Sequence, residues 1–425
     1  MSPPPSDAPP GAPAADPPRR AALAFIFVTV MLDMLAVGIV VPVLPLLIKE
    51  FLDGDVARTA QMLGVFGTVW ALMQFVFMPV LGALSDAHGR RKVVLLSNFG
   101  LGLDYFIMAL APSLGFLFAG RVISGITAAS VTTASAYIAD VTPPERRAAG
   151  FGMLGAAFGV GFVIGPALGG VLGGVSPRLP FWVAAALSLA NGLYGVFVLP
   201  ESLPPGRRAP FRWRNAGPRG ALRILGSRPG LLGLATVQFL SNLAHVVLPS
   251  TAVLYTGYRY GWGPRQVGWM LALVGGSSML VQMGLVRSIV GRYGERRSLV
   301  GGLLCGGLSF GIYGLAPTGA LFLVGVPLMA LCGVSGAAGQ SLMSRAVGPS
   351  EQGRLQGALS AVQGIAGMLA PSLFAFTFAR FIGPWRSVNL PGAPFLVAAS
   401  LIFLAVGVAA AVMRVKLAPP RSLPV

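Results

Sequence analysis

Twelve apolar stretches of membrane-spanning length, separated by short polar gaps, constrain this chain more than any other feature. They run at about 21–48, 60–82, 92–111, 114–138, 147–173, 180–199, 230–255, 264–287, 297–316, 319–342, 355–382 and 391–413. A helix needs about 20 apolar residues to cross a hydrocarbon core of ~30 Å. Inside lipid every backbone N–H and C=O must be paired within the protein, and a helix does this along its own length. The chain is therefore expected to fold as an all-α membrane protein of twelve transmembrane helices. Its charge content agrees: 10% of residues are charged, against about a quarter in soluble domains.

The gaps carry the organisation. Residues 1–18 are rich in Pro and Ala, have little to bury and are expected to be a disordered tail. The apolar segment after Arg19 and Arg20 is too long for the core of a signal peptide. The widest internal gap, 200–229, is rich in Pro, Gly and Arg. It divides a first six-helix half (19–199) from a second (230–415), which a short tail (416–425) follows. The halves read as a duplication, because at one offset Gly89 falls on Gly294, Pro144 on Pro349, Gly152 on Gly357 and Pro166 on Pro371. Two like halves with a binding site between them is a transporter architecture.

A net charge of +18 could suggest nucleic acid as a partner, but the basic residues recur in the gaps instead of forming one patch. Lys49, Arg58, Arg178, Arg259, Arg265, Arg380 and Arg386 fall on one side of the membrane, and Arg121 lies within a helix. The other Lys and Arg residues share the side of the N-terminus, which by the positive-inside rule places both termini in the cytoplasm. His88 and His245 are too few for a histidine metal centre, and Cys305 and Cys332 read as free thiols in apolar runs. No phosphate-binding loop and no soluble domain is visible, so ATP-driven transport is not expected. The partners implied are the lipid bilayer, a small-molecule substrate and protons, with no cofactor beyond the proton gradient; the protein is expected to act as a monomer.

Intramembrane charge is costly and therefore informative. Asp33 and Asp104 each lie 11 or 12 residues into an apolar stretch, or ~16–18 Å deep at 1.5 Å per residue. An unpartnered charge there costs at least ~2.5 kcal/mol, so each is paired, protonated or facing a wet cavity. Because desolvation favours the neutral form of a carboxyl group, such residues suit proton coupling as well as a structural hydrogen bond. Arg121, about seven residues from its helix end, needs an anion because guanidinium stays charged. Asp33 or Asp104 could supply it, making a proton-gated ion pair; snorkelling to the surface is the alternative.

Two motifs add detail. GALSDAHGRRK (82–92) sits between the second and third stretches, with Gly82 and Gly89 suited to close approach and a tight turn. Asp86, Arg90 and Arg91 there, with Asp140 at the same surface, are expected to form an inner gate whose ion pairs break when that side opens. In the fifth stretch Gly161, Gly165, Pro166, Gly169 and Gly170 form a small-residue stripe, suited to helix packing at backbone distance. In the second half Gln238, Asn242, His245, Ser278, Gln282 and Gln363 are polar groups positioned to line a substrate cavity, or to bond between helices.

The motif at 82–91 resembles the signature loop of the major facilitator superfamily. With MLDMLAVGIVVPVLPLL (31–47), the stretch through LGLDYFIMAL, the 120–140 region and the glycine stripe, the first half resembles the tetracycline/proton antiporter branch. The likeness continues more weakly at GERR (294–297). It implies drug export in exchange for protons, with Asp33, Asp86, Asp104, Arg91, Arg121 and Asp140 in positions that branch uses. It also implies two departures, since the branch's aspartate of the ninth helix falls on Gly306 and its histidine of the eighth on Ser278. The expected function is proton-coupled efflux of a small amphipathic compound by alternating access. An uptake symporter or facilitator for a metabolite is the alternative, and a receptor or scaffold without transport would tolerate loss of Asp33.

Overall fold

The computed structural model describes residues 17–143, 146–208, 223–226, 230–348 and 351–414. Residues 1–16 of the expected tail, the tail 416–425, most of the 200–229 segment and the pair Pro144 and Pro349 lie outside the described residues. Among the described residues, eleven helical runs are long and apolar enough to cross a membrane. They are Leu23–Glu50, Val56–His88, Arg90–Leu110, Leu114–Val141, Ala149–Gly173, Leu179–Val198, Leu231–Tyr260, Pro264–Leu315, Gly319–Arg345, Gln352–Ile382 and Ala393–Arg414. The eighth run has 52 residues, a helical length of ~78 Å and more than twice what one crossing needs. It breaks at Gly294, whose φ of 76° and ψ of 162° are not helical. The twelve expected stretches thus map onto eleven runs, the eighth and ninth crossings meeting at one glycine.

Gly294 has a counterpart. Gly89, 205 positions earlier in the chain, separates the second and third crossings with φ 103° and ψ 153°. Both conformations lie at positive φ, which a side chain resists. The internal repeat is therefore visible in the backbone as well as in the letters. The link expected as a polar loop at 82–92 is in fact this single residue, since one helix runs to His88 and the next starts at Arg90.

Breaks within crossings have local causes. Pro42 lies in the turn between Pro17–Val40 and Leu44–Glu50, where its missing N–H and fixed φ interrupt the helix. Pro249 sits in the first turn of Val247–Tyr260, where no backbone donor is needed. A π-helical turn, Val281–Leu285, interrupts the eighth crossing.

Glycines set how close the crossings come. A Cβ on Gly165 would lie 2.8 Å from Gly38 Cα and from the Leu35 carbonyl oxygen, and one on Gly161 would lie 2.5 Å from Met34 Cβ. Gly169 faces the Ile39 carbonyl equally tightly, so this stripe seats the fifth crossing on the first. Gly170 instead meets Gly268 of the eighth. Gly64 and Gly67 of the second crossing meet Pro371 and Ala375 of the eleventh, where Thr68 Oγ1 donates to the Met368 carbonyl at 3.0 Å. These contacts join the halves at the membrane face opposite Gly89. On the Gly89 face, Gly82, Gly152, Gly155 and Gly284 have nothing within 4 Å of an added Cβ. Gly82 therefore does not make the close helix approach its type suggested. The two halves enclose a chamber of about 1840 Å³ whose wall reaches Gly82, Ser85 and Arg90 on the Gly89 face.

Candidate functional site

Asp104 on the third crossing is fully buried, and Arg121 of the fourth is its ion-pair partner through Nη2 and Oδ2. The neighbouring Gly120 makes this possible, because a Cβ there would stand 2.6 Å from Asp104 Oδ1. Arg121 lies on the chamber wall, with Asp104 behind it. One turn on, Ser124 Oγ accepts from Trp70 Nε1 at 3.1 Å, fixing the same stretch of wall to the second crossing. Of the two anions open to Arg121, this conformation selects Asp104.

Asp33 has a different environment. It too is fully buried, and Asn191 Nδ2 of the sixth crossing donates to its Oδ1 at 3.1 Å and to the Thr29 carbonyl at 3.0 Å. Asp33 Oδ2 and Asp104 Oδ1 are buried without a hydrogen-bond partner. Each carboxyl group thus keeps one oxygen outside hydrogen-bond geometry, with the Ser130 hydroxyl near Asp33 and the Ser124 hydroxyl near Asp104. Asn191 was missed by sequence reasoning; an amide in the middle of an apolar stretch was the signal that could have found it.

At the Gly89 face Arg90 joins three elements. Its guanidinium pairs with Asp86, and its Nε donates to Asp140 Oδ2 at 3.0 Å. Its backbone N–H donates to Glu201 Oε1 at 2.8 Å, which also accepts from Leu203 N at 3.1 Å. Arg91 turns away, Nη2 donating to the Val196 carbonyl at 2.5 Å. These bonds all lie within the first half and brace it. Glu201 follows the end of the sixth crossing at Val198 by three residues. It acts as acceptor for the first turn of the third crossing, so Glu201→Ala is expected to cost about 1 kcal/mol of stability. Thermal unfolding of purified protein checks this: Glu201→Gln, which keeps an acceptor, should recover most of the loss, and an unchanged Tm for the alanine variant would refute it.

In the second half Asn242, His245, Ser278, Gln282 and Gln363 all line the chamber. Gln238 does not; it donates to Asn242 Oδ1 at 3.1 Å from a smaller adjoining pocket. His245 Nδ1 lies 2.7 Å from the Ser241 carbonyl, and the ring packs edge-on to Phe310. Gly306 is filled against the tenth crossing, where an added Cβ would sit 2.5 Å from Cys332 Sγ. Among the described residues that line the chamber, Arg90, Arg121 and His245 are the ionisable cations and no carboxylate faces in. Apolar groups, including Phe66, Trp70, Phe75, Phe158 and Phe162, make up much of the wall. Such a chamber can take an amphipathic organic molecule, with a few polar groups to orient it.

The signature of the Major Facilitator Superfamily matches residues 26–335 and 238–424. The chain belongs to this superfamily. Among curated relatives, the class C tetracycline resistance protein of Escherichia coli is 36% identical over 86% of the chain and 92% of its own length. The class G protein of Vibrio anguillarum is 34% identical over 86% and 93%. Among solved structures, a bacterial homologue of the human lysosomal transporter Spinster superposes with a TM-score of 0.76 at 17% identity, over 94% of this chain and 98% of that one. As a superfamily member the protein is a multi-pass membrane protein and a secondary transporter related to tetracycline resistance proteins.

Proposed function

We propose that this transporter exports a small amphipathic compound in exchange for protons, with both termini in the cytoplasm and the chamber of this conformation open inward. We further place it in the bacterial inner membrane as a monomer, its halves at 19–199 and 230–415 joined by the cytoplasmic segment 200–229. The observation that carries the reading is Arg121 on the chamber wall with its counter-ion Asp104 buried behind it. Protonation of Asp104 cancels the anion and releases Arg121; loss of the proton restores the pair. Asp33, buried beside Asn191, is the second proton carrier. Alternating closure of the two chamber faces then exchanges one occupant for the other. Export is favoured over uptake because the relatives of greatest overall likeness named above are resistance proteins.

The test is substrate-triggered proton release from everted membrane vesicles, with tetracycline first and a panel of amphipathic compounds after it. Release in wild type that is lost in Asp33→Asn supports antiport through that carboxyl group. Signals with other compounds but none with tetracycline would keep the mechanism and replace the substrate. Substrate exchange without any proton movement would overturn the reading in favour of a facilitator.

A further inference from the structure

The chamber continues into a smaller pocket of about 120 Å³ between the seventh, tenth and eleventh crossings. Asn242, Ser360 and Gln363 border both spaces, and Gln238, Gln340 and Gln356 complete the polar wall. Five carboxamides from three helices thus converge on one small volume. Gln238 and Asn242 bond to each other, whereas the side chains of Gln340, Gln356 and Gln363 make no hydrogen bond to another described residue. Each carboxamide offers two N–H donors and an acceptor oxygen, so the wall presents both kinds of site unused. No titratable side chain lines the pocket. An ion that exchanged water for this wall would meet no counter-charge, whereas a neutral group that both donates and accepts would find matching partners on the exposed carboxamides. At ~30 Å³ per water, the volume matches about four waters, enough for one functional group and too small for a whole drug-sized molecule.

We propose that this pocket is a subsite for the uncharged, hydrogen-bonding end of an amphipathic substrate, a carboxamide or polyhydroxyl group, whose apolar body occupies the chamber. The assignment rests on the reading of the protein as a transporter of amphipathic compounds. It adds the orientation: the neutral polar head lies in the second half, and the body lies across the aromatic wall toward Arg121 and the first half.

Equilibrium binding to the purified full chain in lipid nanodiscs tests it, read by quenching of tryptophan fluorescence, since Trp70 lines the chamber. Four probes share one apolar body: 2-naphthamide, 2-naphthyl glucoside, 2-methoxynaphthalene and 2-naphthoate. The amide or the glucoside should bind about tenfold or more tightly than the ether and the anion, the value of two or so net hydrogen bonds. Which of the two is preferred identifies the head group. Gln340→Leu with Gln356→Leu, two positions that border the small pocket and not the chamber, should abolish the preference while leaving binding of the ether unchanged. If the double variant does not fold, single Gln340→Ala and Gln356→Ala variants should each reduce the preference several-fold. Absence of any preference in wild type, whether all probes bind alike or none binds, overturns the subsite, as does a preference that survives these substitutions. The measurement uses no proton gradient, so failure of proton coupling in vesicles would remove the antiport reading while leaving this result standing.

Discussion

Asp104→Asn is expected to abolish substrate-driven proton movement and to lower the stability of the protein by about 3–5 kcal/mol. Both effects follow from one geometry. Asp104 is fully buried and pairs with Arg121, whose side chain is 13% exposed. Asparagine removes the negative charge and leaves a permanent cation with its compensation gone, the costly way to break a buried pair. It also removes the only group at this position able to take a proton. Combining Asp104→Asn with Arg121→Gln should recover more than half of the lost stability, because the uncompensated cation goes too, and should recover none of the proton movement. Asp33→Asn makes a useful contrast. Its visible partner is the neutral Asn191 amide, so the substitution mimics the protonated acid and should disturb stability little while still abolishing coupling. Vesicle proton release and thermal unfolding of the purified variants separate these outcomes. Retention of proton movement in Asp104→Asn would remove that residue from the coupling mechanism.

Gly165→Leu and Gly169→Leu are expected to prevent accumulation of folded protein, whereas Gly155→Leu on the same helix should accumulate normally. The chemical change is identical in the three cases. At Gly165 even the first added carbon meets the backbone of Leu35 and Gly38 at 2.8 Å, and at Gly169 it meets the Ile39 carbonyl. Backbone cannot rotate away as a side chain can, so the cost exceeds the 1–3 kcal/mol usual for overpacking. At Gly155 nothing stands within 4 Å. Size-exclusion profiles of fluorescently tagged variants in mild detergent report the folded fraction. Equal profiles for the three would mean that the fifth crossing is not seated on the first as described.

The sequence alone determined the features set by the solvent. Each crossing announces itself because lipid penalises every charge in a ~30 Å slab, a penalty that acts residue by residue. For the same reason Asp33, Asp104 and Arg121 stood out as charges in apolar runs, and the glycines of the fifth stretch stood out at a spacing that places them along one face. The duplication was legible at Gly89 and Gly294 because a positive φ favours glycine in both copies.

Tertiary structure decided everything that depends on how helices distant in sequence are rotated and spaced. Hydropathy could not tell whether Arg121 faces Asp33 or Asp104, since both lie at a similar depth, and it could not supply Asn191 as the partner of Asp33. Glycine spacing could not show that Gly165 meets Gly38 while Gly155 meets nothing. Nor could it show that Arg90, Asp86 and Asp140 brace one half instead of latching two. The carboxamide pocket is of the same kind, because Gln238, Gln340 and Gln356 belong to three helices and become one wall only after those helices pack. The cost of placing a residue in lipid is a property of that residue and its neighbours in the chain. The choice of partner is a property of the packed bundle, and only the fold contains it.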